Sequence, residues 1–294
     1  MLPSLRQLQY LKLLSEHGSF SRAAEAAHVS QPALSAGVQE LERVLGAPVV
    51  ERARGGVILT PVGEEAVRRA EDVLARAEDL VEAARGAAKP LAGRFRLGVI
   101  PTVAPFVLPR SLPDLKTRYP QLKLYLREDL TPRLIAALKS GALDAAVIAL
   151  PYDVSGLDYA RVGDDEILAA TPLDHPLAKA ARVEPGALNP DDLILLEDGH
   201  CLRDHALSAC RLDAPKGEDV FAATSLQTLM QMVSAGLGVS FVPEMAVKAG
   251  LGGEGVAIRP LERDAPKREI VVAWRAGSSR KREGELLAEV FRQA

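Results

Sequence analysis

The stretch S-F-S-R-A-A-E-A-A-H-V-S-Q-P-A-L-S, residues 19–35, constrains the fold more than any other part of this chain. Ser19 or Ser21 can cap a short Ala-rich helix running through Ala27, and His28-Val29-Ser30 makes a tight turn. Ser30 then caps another helix, with Pro32 tolerated in its first turn because that N–H has no intrahelical partner to lose. In this helix Leu34, Val38, Leu41 and Leu45 recur at i, i+4, i+7 and i+11 as one apolar face, while Gln31, Ser35 and Gln39 fall on the other side. Leu5 to Leu14 reads as a preceding helix that ends near Gly18. The plainest product is a three-helix bundle. Short polar side chains early in its third helix could also reach base edges in a DNA major groove.

The next residues favour the second possibility. Ala47-Pro48-Val49-Val50-Glu51, an Arg54-Gly55-Gly56 turn and Val57-Ile58-Leu59 suggest a two-stranded wing. Charge does not decide the matter, since residues 1–62 carry six Lys/Arg and five Asp/Glu, a net +1. Pattern does: S-F-S-R-A-A-E-A-A-H-V-S-Q-P-A-L-S resembles the helix-turn-helix signature of the LysR-type regulators. The resemblance implies DNA contacts from Ser30, Gln31, Pro32, Ser35 and Gln39, with Arg54 at the wing. Gly37, Gln39 and Glu40, with Gly55 and Gly56 at the wing tip, depart from the residues common there.

Thr60-Pro61 opens a long helix running to about Arg85. Its Val67, Ala70, Leu74, Ala77, Val81 and Ala84 alternate steps of three and four, which is heptad spacing and suits a coiled-coil seam with a second copy. The alternative is a helix packed on its own chain. Lys89-Pro90-Leu91-Ala92-Gly93 reads as a hinge.

From Arg94 strands alternate with helices: R-F-R-L-G-V-I, a helix near 104–118, L-K-L-Y-L, a helix near 131–140, then L-D-A-A-V-I-A-L. That pattern predicts βαβ units and a mainly parallel sheet, with ligands bound beyond the carboxyl ends of the strands, where Thr102 and Thr131 fall. A second unit runs from about Glu166, through Ser225 opening a helix, to G-L-G-V-S-F-V-P, and Arg268 to Trp274 is a last strand returning to the first half. At 294 residues and 48% hydrophobic there is material for two or three domains. No apolar run suits a signal peptide or a membrane span, so the expected location is the cytoplasm, where thiols stay reduced.

The only two cysteines, Cys201 and Cys210, sit in E-D-G-H-C-L-R-D-H-A-L-S-A-C. Asp198-Gly199 reads as a turn and Leu202 onward as helix, which puts Cys201 near a helix N-terminus. There the dipole, His200 and Arg203 would favour a thiolate. Residues nine apart on one helix lie about 13 Å apart along its axis, too far for a disulfide unless the segment refolds. Two buried small hydrophobes remain the simpler reading of spacing alone.

The segment resembles the redox loop of peroxide-sensing LysR-type regulators, and T-P-L-D-H-P-L-A (171–178) and V-S-A-G-L-G (233–238) are also similar to that family. The resemblance covers the whole chain. It implies an α+β multidomain protein: a winged helix-turn-helix domain (1–62), a dimerisation linker helix with its hinge (63–92), and a two-lobed effector domain of the periplasmic-binding-protein type II fold (93–294). Lobe I would take about 93–165 and 268–294, and lobe II about 166–267. It further implies that Cys201 reacts with hydrogen peroxide and Cys210 resolves the product as a disulfide. Thr102, Thr131, His200, Arg203, Asp204 and Arg275 would form the effector pocket, and Asp213 to Gly217 would supply slack. Promoter DNA, RNA polymerase and further copies of the chain, as homodimer to homotetramer, are the implied partners, with no cofactor, no metal and no membrane. Three alternatives stand beside this reading: a regulator binding a small metabolite between the lobes, a metal sensor using Cys201, His205 and Cys210, and a thiol peroxidase.

Overall fold

A computed structural model describes residues 2–53, 56–86, 90–212, 222–262 and 267–293. The chain divides into two compact units, one formed by the residues up to 88 with 139–142 and the other by the remainder.

In the first unit, α1 (Leu5–His17) begins in a capping box: Ser4 Oγ accepts from Gln7 N at 3.2 Å and Gln7 Oε1 accepts from Ser4 N at 2.7 Å. After α2 (Phe20–Ala26), α3 (Gln31–Leu45) is capped by Ser30, whose hydroxyl accepts from Ala33 N at 3.4 Å. Leu34, Val38 and Leu41 pack with Leu8, Tyr10, Leu11 and Leu14 into one core, whereas Leu45 is exposed rather than part of that face. Gly37 is explained by this packing: a Cβ there would stand 2.6 Å from a ring carbon of Tyr10, so α3 can press against α1 only without a side chain. The antiparallel strands β1 (Val50–Ala53) and β2 (Gly56–Leu59) make the wing. Arg54 and Gly55 at its tip lie outside the described residues.

Thr60, buried beneath the wing, donates to Pro48 O at 2.7 Å and accepts from Gly63 N at 2.9 Å, which starts α4 (Pro61–Gly86). Here the heptad expectation needs correction. Val67, Ala70 and Leu74 pack into the core of their own unit, so that half of the seam is internal. Among the described side chains, the large apolar residues that α4 leaves outside are Val62, Val73, Leu80 and Val81, Leu80 being 74% exposed. The period is real, but α1 rather than a second helix takes the first two turns of it. The side chain of Ala84 and the residue Lys89 of the expected hinge lie outside the described residues.

The second unit is built on a seven-stranded sheet in the order β10-β6-β11-β5-β3-β4, with β9 also paired to β6. Its strands are β3 (Gly93–Val99), β4 (Leu122–Glu128), β5 (Ala145–Leu150), β6 (Leu157–Pro172), β9 (Ser240–Pro243), β10 (Val256–Pro260) and β11 (Lys267–Arg275). Only β4-β3-β5 is parallel, joined through α5 (Ala104–Arg118) and α6 (Thr131–Lys139). All pairings of β6 and β11 are antiparallel, so the mainly parallel sheet expected from the strand–helix alternation holds for one lobe alone. The reason is β6. Its first part, Leu157–Glu166, pairs with β11, and its last residues, 167–172, pair with β9 and β10, so one 16-residue strand serves both lobes. Lobe I buries Phe95, Leu97, Val147 and Trp274 beneath α5, α6 and α10 (Lys281–Arg292). Lobe II buries Ile167, Leu195, Met230 and Phe241 around a short parallel pair, β7 (Leu195–Leu196) with β8 (Ala222–Ala223), and the helices α7 (Cys201–Cys210), α8 (Leu226–Ser234) and α9 (Glu244–Lys248).

Candidate functional site

α7 is a continuous helix with a cysteine at each end, and both thiols are free and buried. Cys201 is 3% exposed and packs with the core of lobe I, while Cys210 is 5% exposed and packs in the core of lobe II. At about 1.5 Å rise per residue their alpha carbons stand roughly 13 Å apart along the axis. The expected slack, Asp213 to Gly217, lies outside the described residues.

The turn into α7 is tight. Gly199 has φ +93, and a Cβ on it would come 3.0 Å from Leu130 Cδ1, so glycine satisfies both the backbone and the approach of lobe I. His200 follows as N-cap without a side-chain cap bond; its ring is buried, its Nδ1 has no partner among the described residues, and burial lowers its pKa against the opposing pull of Glu197. A neutral His200 therefore does not supply the cation expected beside Cys201. Arg203 does not either, because it turns outward to pair with the exposed Asp198.

The cation that acts on Cys201 is Arg268, near the start of β11. Its Nη1 donates to Thr102 Oγ1 at 2.7 Å, its Nη2 to Thr102 O at 2.9 Å and its Nε to Asp165 Oδ2 at 2.8 Å. Arg268 is 0% exposed and Asp165 2%. Burial pushes the Cys201 thiol up; the Arg268 charge and the Thr131 hydroxyl pull it back, Asp204 adds to the rise, and burial wins. The thiolate expected from the helix dipole is thus not the resting form. Thr131 Oγ1 is close enough to act on this thiol and is buried without a hydrogen-bond partner among the described residues. Arg275 is the other correction: it ends β11 opposite Leu157, seven residues and about 23 Å of strand beyond Arg268. No local signal marks Arg268, which stands between Lys267 and Glu269; its burial rests on the carboxylate of Asp165 across the sheet.

Of the remaining expected residues, Asp204 is exposed on α7 yet close enough to act on Cys201, His205 and Tyr152. His205 is buried; its Nε2 donates to Pro151 O at 2.7 Å, which commits that nitrogen to a hydrogen bond rather than to a metal. Burial raises the Cys210 thiol to about 11. A cleft of about 340 Å³ between the lobes is lined by Thr102, Asp129, Leu130, His200, Ser225 and Gln227 among others. In the first unit Gln31, Pro32 and Gln39 are exposed on α3, with Ser35 half-buried beside them.

Two family profiles account for this arrangement: the bacterial regulatory helix-turn-helix protein, lysR family, over residues 5–64, and the LysR substrate binding domain over residues 88–294. The chain is 39% identical to the HTH-type transcriptional regulator EstR of Acinetobacter baylyi, covering 99% of this chain and 97% of the relative. It is 41% identical to a probable hydrogen peroxide-inducible genes activator of Streptomyces viridosporus, covering 99% and 94%. Among solved structures it is similar to a full-length OxyR from Pseudomonas aeruginosa bearing a cysteine-to-aspartate substitution, at 37% identity and TM-score 0.81 over 99% of this chain and 95% of that one. Family members of this kind are transcription regulators and not enzymes. The chain belongs to the LysR family of helix-turn-helix transcriptional regulators, and within it to the OxyR type.

Proposed function

We propose that the chain is a cytoplasmic transcriptional regulator that responds to hydrogen peroxide through Cys201. The observation that supports this reading is a buried thiol at the tip of α7 on which a buried hydroxyl, Thr131, and a buried arginine, Arg268, both act, the arginine also gripping Thr102. Peroxide cleavage by a thiol develops negative charge on the departing oxygen, and fixed hydroxyl and cationic donors stabilise that charge. In the first step the Cys201 sulfur attacks one peroxide oxygen, the O–O bond breaks, and the other oxygen leaves as water carrying the thiol proton. The resulting sulfenic acid is attacked by the Cys210 thiol; the S–O bond breaks, a second water leaves and a disulfide forms. Because α7 separates the two sulfurs, the helix must unwind for the second step. The name of the Streptomyces relative agrees with this reading.

Ser30, Gln31, Pro32, Ser35 and Gln39 on α3, with Arg54 of the wing, would contact promoter DNA. Further copies of the chain as homodimer or homotetramer, and RNA polymerase, complete the expected assembly. No helix among the described residues is long and apolar enough to cross a membrane. Mass spectrometry after stoichiometric peroxide tests the core of the proposal, with Cys201→Ser expected to leave Cys210 unoxidised and Cys210→Ser expected to stop at the sulfenic acid or pass to higher oxides. Two free thiols in the treated wild-type protein would sink it. The cleft of about 340 Å³ would then favour the second reading, a regulator that binds a small metabolite between its lobes.

A further inference from the structure

Asp165 stands on β6 directly across from Arg268 on β11, and neither side chain reaches solvent. Its two oxygens are both used: Oδ2 accepts from Arg268 Nε at 2.8 Å and Oδ1 from Met245 N, in the first turn of α9, at 2.8 Å. Anchored at Nε, the planar guanidinium keeps one orientation, and that orientation aims Nη1 and Nη2 together at Thr102. The consequence falls on the Thr102 hydroxyl. Its oxygen accepts from Arg268 at 2.7 Å, so its own proton points elsewhere, and a hydroxyl that accepts from a cation becomes a stronger donor. Thr102 lines the cleft between the lobes.

Resting on the peroxide reading of Cys201, we infer that Asp165 is a positioning residue for the first oxidation step: it sets Arg268, and Arg268 aims the Thr102 proton at the oxygen that leaves. In that step the Cys201 sulfur gives an electron pair to the near oxygen and is oxidised to the sulfenic acid. The O–O bond breaks, and the far oxygen is reduced to water with the former thiol proton. Asp165 touches none of these atoms. Its part is to keep the hydrogen-bond donor aligned while charge develops.

The test is a comparison of two rates on the full-length protein, reaction of Cys201 with hydrogen peroxide and its alkylation by iodoacetamide at the same pH. Alkylation needs a thiolate but no donor for a leaving oxygen. Asp165→Asn keeps the shape and an oxygen for Met245 N but loses the charge that holds Arg268. The expected result is a peroxide rate lowered by about tenfold with an alkylation rate unchanged or raised. In the Asp165→Asn background, Thr102→Val should cost less than about twofold more, because the alignment it removes is already lost. Asp165→Glu, which retains the charge but displaces it, takes the place of the amide variant should that one fail to fold, with the same split expected. A peroxide rate within about twofold of wild type, or an equal fall in both rates, overturns the inference while leaving the peroxide reading standing. A wild-type Cys201 that alkylates but never oxidises overturns both.

Discussion

A thiol 3% exposed and held above its ordinary pKa by burial carries little thiolate at neutral pH, and this sets the pH dependence of whatever Cys201 does. Arg268 and Thr131 favour the ionised form, Asp204 opposes it, and none offsets desolvation. The rate of peroxide oxidation at Cys201 should therefore climb by about tenfold per unit from pH 7 to 9 without levelling off, since thiolate is the reacting form. A plateau near neutrality in stopped-flow traces would mean that an ionised thiol already exists. The same residues show what a sequence does and does not make legible. Thr102, Thr131 and His200 could be placed at the site because each sits at the junction of a strand or turn with a helix. Arg268 could not, because nothing local separates a buried arginine from an exposed one. Only pairing to Asp165, more than a hundred residues earlier, settles it.

Among the elements, α4 and α7 carry expectations of opposite kinds. Leu74 is committed to the core of its own unit, so Leu74→Ala should lower stability, by about 1–2 kcal/mol for a half-buried leucine, without changing assembly. Leu80, 74% exposed, is the position whose loss should tell on association. Leu80→Glu would set a charge into a helix pairing, and sedimentation at micromolar concentration should report a lighter species while the melting curve stays put. At α7 the two buried rings, His200 at its N-cap and His205 within it, bring a pH dependence. In the unfolded chain both histidines protonate near pH 6.5, and burial moves the folded values of His200 and His205 lower. Between those limits unfolding takes up protons, so stability is whole above about pH 6.5 and declines as pH falls toward the depressed folded values. A melting temperature that holds level from pH 7 to 5, after allowance for the carboxylates, would contradict this. His205→Gln should flatten the decline, since an amide can still donate to the Pro151 carbonyl. Most strands and helices were readable from their periods, but β6 was not. Asp158, Arg161, Asp164 and Glu166 give its first half a loop-like composition, and it is a strand because ion pairs such as Arg161–Glu269 at 3.1 Å and Lys267–Glu166 at 3.0 Å run along the crossing with β11.

At the scale of the whole molecule, the proposed function needs the first unit to discriminate DNA sequences. With six basic and five acidic residues in 1–62, that unit has little general attraction for phosphate, so base contacts should carry much of its selectivity. Gln31→Ala or Ser35→Ala should reduce the preference for an operator over random DNA by about 1–3 kcal/mol per lost contact. Equal losses on both DNAs would show that these side chains do not read bases. In the second unit, a single helix has one terminal sulfur packed in the core of each lobe, which makes α7 a bolt whose tip is seated in lobe I and whose shank is fixed in lobe II. An oxygen added to that tip is one atom too many for a close-packed seat. Oxidation should accordingly withdraw the bolt before any second sulfur arrives, so that the mechanical event precedes the covalent one. In Cys210→Ser, where no disulfide can form, one equivalent of peroxide should already open the α7 segment to a protease that the untreated protein resists.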